Sequence, residues 1–316
     1  MGFVVGVDGG STKCLMKAKD LDGRLLASFT GPSANHLSSI GVTGAGALII
    51  ESLTKLLEGF GGEKTDCDCV VVGAAGIDSP ADKCVVTGLY RAFFPECPLF
   101  CVNDAAVALY GATKGVGVSA ISGTGSVVYG RNAEGRVTRS GGHSTRIFGD
   151  EGSSRWMALW ALNYVSKWVD GSVASSPLVK LIDEYLGGLD HDKMTVYDIG
   201  LKTKPVDPYI AVLVYIAAGQ GDAAALDIIR NGARELYSVA KTCVIKLGFD
   251  KSGAFKSGVW GSVFVENEIF FNEYKRLFEA DYPMCEIVFP DGDAADGATS
   301  LALDYLIGKA PFIQDL

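Results

Sequence analysis

The segment FVVGVDGGSTK, residues 3–13, carries an apolar strand-like run straight into a turn that is rich in glycine. A second segment, VGVSAISGTGS at residues 116–126, repeats this arrangement with another apolar run and another glycine-bearing turn. Further short strand-like runs, bounded by turn residues, follow each of the two turns. The backbone N–H groups of such turns can bind phosphate. The sequence therefore predicts an α/β protein built from two copies of one unit.

The two halves of the chain share one order of elements: three strands, a helix, a strand, a helix, a strand and a helix. This order follows from the spacing of apolar residues and from the turn residues between them. The predicted strands are residues 3–7, 14–19, 24–29, 69–72 and 99–102, then 116–121, 127–130, 136–139, 254–260 and 286–289. The predicted helices are residues 43–58, 80–93 and 104–110, one that begins near residue 151, and two at 265–278 and 294–306.

The repeat also predicts a domain organisation. We expect one domain at residues 1–115 and a larger one at residues 116–316. Residues 177–247 are mostly helical in pattern and interrupt the second copy, so we expect them to be an insertion. The last helix, residues 294–308, could pack back on the first domain. Two copies of one unit would place their glycine turns facing each other across a cleft, and clefts between domains are common ligand sites.

The composition argues against several classes of protein. The chain has 316 residues, 28 basic against 37 acidic, and a formal net charge of -9, which argues against a nucleic-acid or anionic membrane surface. No signal-peptide pattern precedes the first strand, and the longest uncharged stretch, Ala27–Ile50, contains proline and many polar residues. We therefore expect a cytoplasmic protein with no membrane partner. The 8 cysteines form no CxxC pair, so free thiols are expected rather than structural zinc.

The first glycine turn, Asp8–Lys13, has the pattern of a phosphate-binding loop. Its glycines would let the backbone approach a phosphate, while the side chains of Thr12 and Lys13 would add donors. Asp8 could hold a hydrated Mg²⁺. The alternative is an ordinary hairpin turn, because Asp-Gly is a strong turn signal. The same two interpretations apply to the second turn, Ser122–Ser126.

A carboxylate, that of Asp104, stands at the end of a buried strand. Strand ends in α/β sheets face the ligand crevice, so this group could accept a proton from a substrate hydroxyl. The alternative is that Asn103 and Asp104 only cap the helix that follows. GDEGSS, residues 149–154, and GPSANH, residues 31–36, also have ordinary interpretations, as acids at a helix N-terminus and as a capping turn.

Two further segments complete an ordered set. GSVF, residues 261–264, joins a strand to a helix, and DGDAADGA, residues 291–298, places Gly297 at a helix start, where a close backbone contact would explain the missing side chain. Taken in order, these segments resemble the superfamily of sugar kinases, heat-shock chaperones and actin. Within it, the chain resembles the N-acetylglucosamine kinase group of the BadF/BadG/BcrA/BcrD ATPase family. The resemblance implies two ribonuclease H-like (actin-like ATPase) domains that flank a nucleotide and substrate cleft.

The resemblance also implies a reaction, in which ATP, with Mg²⁺ as cofactor, phosphorylates a hydroxyl of an amino sugar. The substrate it implies most directly is N-acetylglucosamine, which would be converted to its 6-phosphate. The partners would be a small sugar and a nucleotide, with a homodimer left open. Asp104 would be the catalytic carboxylate, and Asp8 would hold the metal through water. The implied sugar-binding residues are Asn35, His36, Asp104, Gly142, His143 and Asp150. The implied residues for ATP and its phosphates are Gly9, Gly10, Ser11, Thr12, Lys13, Gly123, Thr124, Gly125, Gly261 and Ser262.

One departure from the family pattern concerns the sugar. The kinases usually carry GGWGH before the GDEG segment, whereas this chain has GGHSTRIF from Gly141 to Phe148, without the Trp and one residue longer. His143 or Arg146 could fill the space, and Arg146 could accept an acidic substituent. Glucosamine and N-acetylmuramic acid therefore stay open as substrates.

Other functions within the superfamily would each need a particular sequence feature. An activator ATPase of the benzoyl-CoA reductase or 2-hydroxyacyl-CoA dehydratase type needs a cysteine at a helix end to hold a shared iron–sulfur cluster, and Cys243 is the best candidate for it. An ATP-binding switch of the chaperone kind would need a peptide-binding domain. A repressor would need a helix-turn-helix ahead of the first strand. The sequence shows neither of these last two features.

Overall fold

The computed structural model describes residues 2–10, 12–143, 149–189, 206–310 and 312–313, and the structural statements below concern these residues. The chain divides into two compact units. The first comprises residues 1–119, 129–137 and 288–316, and the second comprises residues 120–128 and 138–287. The predicted domain boundary at residue 115 stays a prediction.

The first sheet has five strands in the order β3-β2-β1-β4-β5. They are β1 Phe3–Gly9, β2 Lys13–Asp20, β3 Leu25–Pro32, β4 Cys67–Ala74 and β5 Leu99–Asn103. β1 pairs antiparallel with β2 and parallel with β4, and β4 pairs parallel with β5. Residues 3–7 of β1 are all buried, as expected for a central strand that is covered on both faces.

The second sheet also has five strands, in the order β10-β9-β6-β7-β8. They are β6 Gly117–Ser122, β7 Ser126–Arg131, β8 Val137–Gly141, β9 Phe255–Trp260 and β10 Cys285–Val288. This order matches the first sheet position by position, with β6 in the place of β1 and β9 in the place of β4. The repeat predicted from the sequence is therefore confirmed by the sheet topology.

The helices connect and cover the sheets. They are α1 Gly41–Glu58, α2 Pro80–Arg91, α3 Asp104–Thr113, α4 Ser154–Val169, α5 Pro177–Tyr185, α6 Ile210–Gly219, α7 Ala223–Leu247, α8 Phe249–Ser252, α9 Ser262–Glu266, α10 Glu268–Asp281 and α11 Ala294–Leu306, with a 3-10 turn at Lys64–Asp66. The predicted helical insertion contains α5, α6 and α7, and its residues 190–205 lie outside the described ranges. Among the described helices, no single one is long and apolar enough to cross a bilayer. The pair α6 and α7, which is bent by 118°, has the required length and composition only when the two helices are taken together.

Two predicted helix boundaries were wrong, and side-chain caps explain both. The helix expected near residue 151 begins at Ser154, because the Ser153 hydroxyl accepts the N–H of Trp156 at 3.1 Å and caps it. The helix expected at residues 265–278 is two helices, α9 and α10. They are separated by Asn267, whose side chain accepts the N–H of Phe270 at 2.9 Å and starts a new helix.

The last helix, α11, packs against α3, β1 and β4 of the first unit. Its contact with α3 is backbone against backbone at Gly297. A Cβ atom at this position would lie 2.4 Å from the carbonyl oxygen of Val107 and 3.1 Å from the amide nitrogen of Gly111. The close contact inferred from DGDAADGA is therefore present, and it fixes the start of α11 against α3.

We predict that Gly297→Ala destabilises the protein by about 1–3 kcal/mol, because α11 must move to make room for a methyl group. The matched control is Gly88→Ala in α2, where a Cβ would meet nothing within 4 Å. That change should stabilise the protein by about 0.5–1 kcal/mol, since alanine favours the helix. Urea unfolding of both variants measures the two effects, and equal effects of the same sign would contradict the packing described here.

Candidate active site

In the first unit, strand register brings two predicted site residues to one sheet edge. Gly9 at the end of β1 pairs with Ala74 at the end of β4, and Ala74 pairs with Asn103 at the end of β5. All three strands run in the same direction, so Asp8 and Asp104 stand at the same edge. Both carboxylates are half-buried.

The electrostatics of this edge are set by three acids. The pKa of Asp8 is raised from 3.8 to about 6, first by burial and then by the neighbouring carboxylates of Asp104 and Asp293, while Lys13 lowers it. A cation beside Asp8 would offset this repulsion, which fits the predicted role of Asp8 toward Mg²⁺. Among the described residues, no group of three His, Cys, Asp or Glu side chains is arranged to ligate a metal directly. The contact of Asp8 with Mg²⁺ through water stays a prediction.

Asn103 supplies the cap of α3, which was the ordinary interpretation of Asn103-Asp104. Its Oδ1 accepts the N–H of Ala105 at 3.0 Å, and its Nδ2 donates to the carbonyl of Ile77 at 3.2 Å. Asp104 is the first residue of the helix, and its Oδ1 also accepts the N–H of Ala105, at 2.9 Å. The cap therefore does not depend on Asp104 alone, and its catalytic role stays a prediction.

Asp293, the third acid at this edge, is held by a charge network that the sequence analysis missed. Lys17 Nζ lies 2.6 Å from both Asp293 and Asp296, and Lys19 Nζ lies 2.8 Å from Asp296. Asp293 and Asp296 also cap α11 reciprocally, each accepting the other's N–H. A signal for this network was available in the sequence. Apolar residues and lysines alternate along β2, so Lys17 and Lys19 lie on one face of the sheet, where two positive charges indicate acidic partners.

The first glycine turn is tied to its surroundings through its carbonyl groups. Gly9 O accepts the N–H of Ala75 at 2.8 Å, and Gly10 O accepts the hydroxyl of Ser33 at 2.8 Å. Within the described ranges, the N–H groups of Gly10 and Thr12 have no acceptor. The side chains of Thr12 and Lys13 are exposed, and Ser11 lies outside the described residues. The turn thus leaves N–H groups without a protein partner, as a phosphate cradle requires.

The predicted sugar loop packs beside this turn. Asn35 Oδ1 accepts the N–H of Leu37 at 2.9 Å, which is the capping turn expected of an Asn here. His36 is buried, and its Nε2 lies 3.6 Å from Asp82 Oδ1 in α2, which the sequence analysis did not single out. An enclosed cavity with room for about one water molecule is lined by Asn35, His36, Gly9 and Ala75, among others. Residues of the sugar loop and of the first turn therefore line the same pocket.

In the second unit, the glycine turn Ser122–Ser126 sits on the start of α4. Gly123 O accepts the N–H of Ser154 at 2.9 Å, and Thr124 O accepts the N–H of Arg155 at 3.3 Å. Gly123 N–H donates to Gly125 O at 2.9 Å. The N–H groups of Thr124 and Gly125 find no acceptor in the part of the chain that the structure describes. As in the first unit, the turn's carbonyls accept hydrogen bonds within the protein, while two of its amides have no acceptor among the described residues.

The acidic segment at residues 149–154 is hydrogen-bonded to the same turn. Ser122 Oγ donates to Gly152 O at 2.9 Å, and Ser126 Oγ donates to Glu151 O at 2.7 Å. Asp150 is 3 % exposed and accepts the N–H of Ser126 at 3.2 Å. Two motifs that the sequence analysis treated separately therefore form one structure. Glu151 Oε2 is buried without a hydrogen-bond partner among the described residues, a feature that the sequence did not predict.

Gly261 brings a third motif to the turn. A Cβ at this position would lie 2.0 Å from the carbonyl oxygen of Ser122, and the φ of Gly261 is 96°. Only glycine fits both the contact and the backbone angle. Ser262, the first residue of α9, follows directly. The structure thus gathers the predicted phosphate and adenosine residues of the second half into one place.

The remaining predicted sugar residues of the second unit, Gly142 and His143, follow β8. A cavity of about 540 Å³ is lined by Arg139, Ser140, Gly141, Gly142, His143 and Lys246. Arg139 Nη2 donates to Gly142 O at 2.6 Å and fixes the end of the strand. Arg146, which was expected to accept an acidic group, lies outside the described residues. Arg139 and Lys246 are cationic residues of this cavity that the sequence analysis missed.

Solved structures of other proteins share the fold of this chain. A crystal structure described as an N-acetylglucosamine kinase from Chromobacterium violaceum matches with a TM-score of 0.70 at 21% identity, over 95% of this chain and 98% of that one. A ROK family glucokinase from Streptomyces griseus, solved with glucose and AMPPNP, matches with a TM-score of 0.61 at 18% identity, over 95% and 99% of the two chains. These likenesses confirm the predicted actin-like ATPase fold.

Sequence comparison reaches closer relatives and a family. An N-acetylmuramic acid/N-acetylglucosamine kinase from Clostridium acetobutylicum is 31% identical over 96% of this chain and 98% of its own length. An N-acetyl-D-glucosamine kinase from Dictyostelium discoideum is 29% identical over 95% of this chain and 97% of its own length. The model of the BadF/BadG/BcrA/BcrD ATPase family matches residues 5–298. The chain therefore belongs to the BadF/BadG/BcrA/BcrD ATPase family.

Proposed function

We propose that this protein is an ATP-dependent amino-sugar kinase that converts N-acetylglucosamine to its 6-phosphate. One observation carries the proposal: among the described residues, the glycine turn after the first strand of each sheet leaves N–H groups without a protein acceptor. A backbone anion cradle of this kind suits a phosphate group. The names of the relatives from Clostridium acetobutylicum and Dictyostelium discoideum support an amino sugar as the acceptor.

The chemistry follows from positioning and charge neutralisation, which dominate phosphoryl transfer. The amides of Gly10, Thr12, Thr124 and Gly125 would bind phosphate oxygens. Asp104 would accept the proton of the sugar hydroxyl as that oxygen bonds to the γ-phosphorus, while the bond from the γ-phosphorus to ADP breaks and ADP leaves. Mg²⁺, held by Asp8 through water, would supply charge neutralisation for the phosphates when bound. Asn35 and His36 would orient the sugar, and exclusion of water would prevent hydrolysis of ATP in place of transfer.

A second candidate substrate is an acidic amino sugar such as N-acetylmuramic acid. The cavity beside the predicted sugar residues Gly142 and His143 carries Arg139 and Lys246, whose charges suit a carboxylate. The relative from Clostridium acetobutylicum has N-acetylmuramic acid in its name. An activator ATPase is less well supported, because Cys243 is fully buried in α7, its thiol donates to Val128 O at 3.6 Å, and burial raises its pKa.

An ADP-release assay across glucose, glucosamine, N-acetylglucosamine and N-acetylmuramic acid tests the proposal. We expect turnover with an N-acetylated amino sugar.

Asp104→Asn should lower kcat by about 10² or more, with ATP binding retained, because the proton acceptor is lost. The matched control is Asp22→Asn, the same change at an exposed carboxylate, which should keep full turnover. Near-normal turnover of Asp104→Asn would leave that residue as part of the helix start only.

Asp8→Asn should raise the stability of the ligand-free protein at pH 7.5. Because the folded-state pKa of Asp8 is about 6 against 3.8 when unperturbed, stability is lost as pH rises from about 4 through 6. Removing the charge should restore on the order of 1–3 kcal/mol at pH 7.5 and almost nothing near pH 4. Thermal melting at both pH values measures this. A loss of stability at both would contradict the electrostatic description of this edge.

Arg139→Ala should change substrate preference if the cavity receives an acidic substituent. The ratio of kcat/KM for N-acetylmuramic acid to that for N-acetylglucosamine should fall about tenfold or more, because only the acidic sugar loses a cationic partner. The control is Lys256→Ala, which removes an exposed cation that pairs with Glu286 on the neighbouring strand. An unchanged ratio would mean that this cavity does not set specificity.

A further inference from the structure

Asp150, which the family resemblance assigns to the sugar, has both carboxylate oxygens engaged inside the second unit. Oδ1 accepts a hydrogen bond from the N–H of Ser126 at 3.2 Å, and Oδ2 accepts one from Arg155 Nη1 at 3.1 Å. The side chain is 5 % exposed, against 31 % for that of Arg155. The charge of Asp150 is therefore buried next to the glycine turn, and Arg155 is its cationic partner.

The backbone of Asp150 is unusual as well. Its φ is 57°, in the left-handed region, where only Asp150 and Lys114 are found among the described non-glycine residues. Such a conformation persists only when the surrounding contacts hold it. Here the contacts are with Ser126 and Arg155, so the backbone at Asp150 and the glycine turn depend on each other.

Arg155 contacts the turn in two ways. Its main-chain N–H donates to Thr124 O at 3.3 Å, and its side chain reaches the turn through Asp150. There is no free space between Asp150 and the turn, because a Cβ on Gly125 would lie 2.9 Å from Asp150 Oδ1. The two amides without acceptors, those of Thr124 and Gly125, lie between these contacts. Any shift of Asp150 would therefore move the amides proposed to bind phosphate.

We propose that Arg155 is a positioning residue for the nucleotide phosphates. Arg155 acts through the Asp150 carboxylate. Its hydrogen bond holds that carboxylate in place to accept the N–H of Ser126, and its positive charge neutralises the buried negative charge beside the turn. Without Arg155, an uncompensated negative charge would face the site of an anionic ligand. This inference rests on the proposed function, because it requires that the turn receives phosphate.

The test is direct binding, without sugar or turnover. Isothermal titration with ATP and with adenosine should show that Arg155→Met weakens ATP by about tenfold or more while adenosine is unchanged, since only the phosphates meet the turn. Arg155→Lys keeps the charge and should recover most of the ATP affinity. Arg234→Met, which breaks an exposed ion pair with Glu273 in the same unit, is the control and should leave both ligands unaffected.

A double variant separates charge from folding. Asp150→Asn combined with Arg155→Met removes the buried charge together with its partner, so ATP should bind more tightly than to Arg155→Met alone. Unchanged ATP affinity in Arg155→Met, or equal weakening of ATP and adenosine, would overturn the inference. Wild-type protein that binds no ATP would instead overturn the proposed function and this inference with it.

Discussion

The backbone contact between α11 and α3 is the constraint on which the first unit depends. It exists because residue 297 has no side chain, so the carbonyl of Val107 can lie where a Cβ would be. This contact places the start of α11, with its Asp293, beside Asp8 at the end of β1, where Lys17 then compensates the added charge. Asp293, which lies 276 residues after Lys17 in the sequence, thus completes the acidic edge at which Asp8 stands.

The second unit reaches a comparable result by hydrogen bonding. The glycine turn after β6 gives its carbonyls to α4, and its Ser122 and Ser126 donate to the carbonyls of residues 152 and 151 and to the carboxylate of Asp150. Among the described residues, the amides of Thr124 and Gly125 remain without an acceptor, and such amides attract anions. The two units therefore use different side chains to leave the same chemical feature, which explains why the sequence repeat is visible in glycine and turn residues more than in charge.

Much of the fold could be predicted from the sequence, because period-two apolar runs and glycine turns are local signals. The boundaries that failed, at Ser154 and Asn267, depended on which polar side chain would cap, and several candidates were adjacent. The place of Asp104 directly after a strand could also be predicted. The ion pairs of Lys17 with Asp293 and of Arg155 with Asp150 could not be predicted, because the first joins residues 276 positions apart and the second depends on the backbone conformation at Asp150. The contact between the SGTGS and GDEGSS motifs could not be predicted either, because it forms only through tertiary packing.

The most direct test of the central claim is phosphorus NMR of a mixture of the protein, ATP, Mg²⁺ and N-acetylglucosamine. The account predicts the growth of a sugar 6-phosphate resonance, coupled to the protons of the sugar's C6, in step with ADP. Release of inorganic phosphate without a sugar phosphate, for every amino sugar offered, would contradict it and would favour an ATPase in which hydrolysis is the reaction.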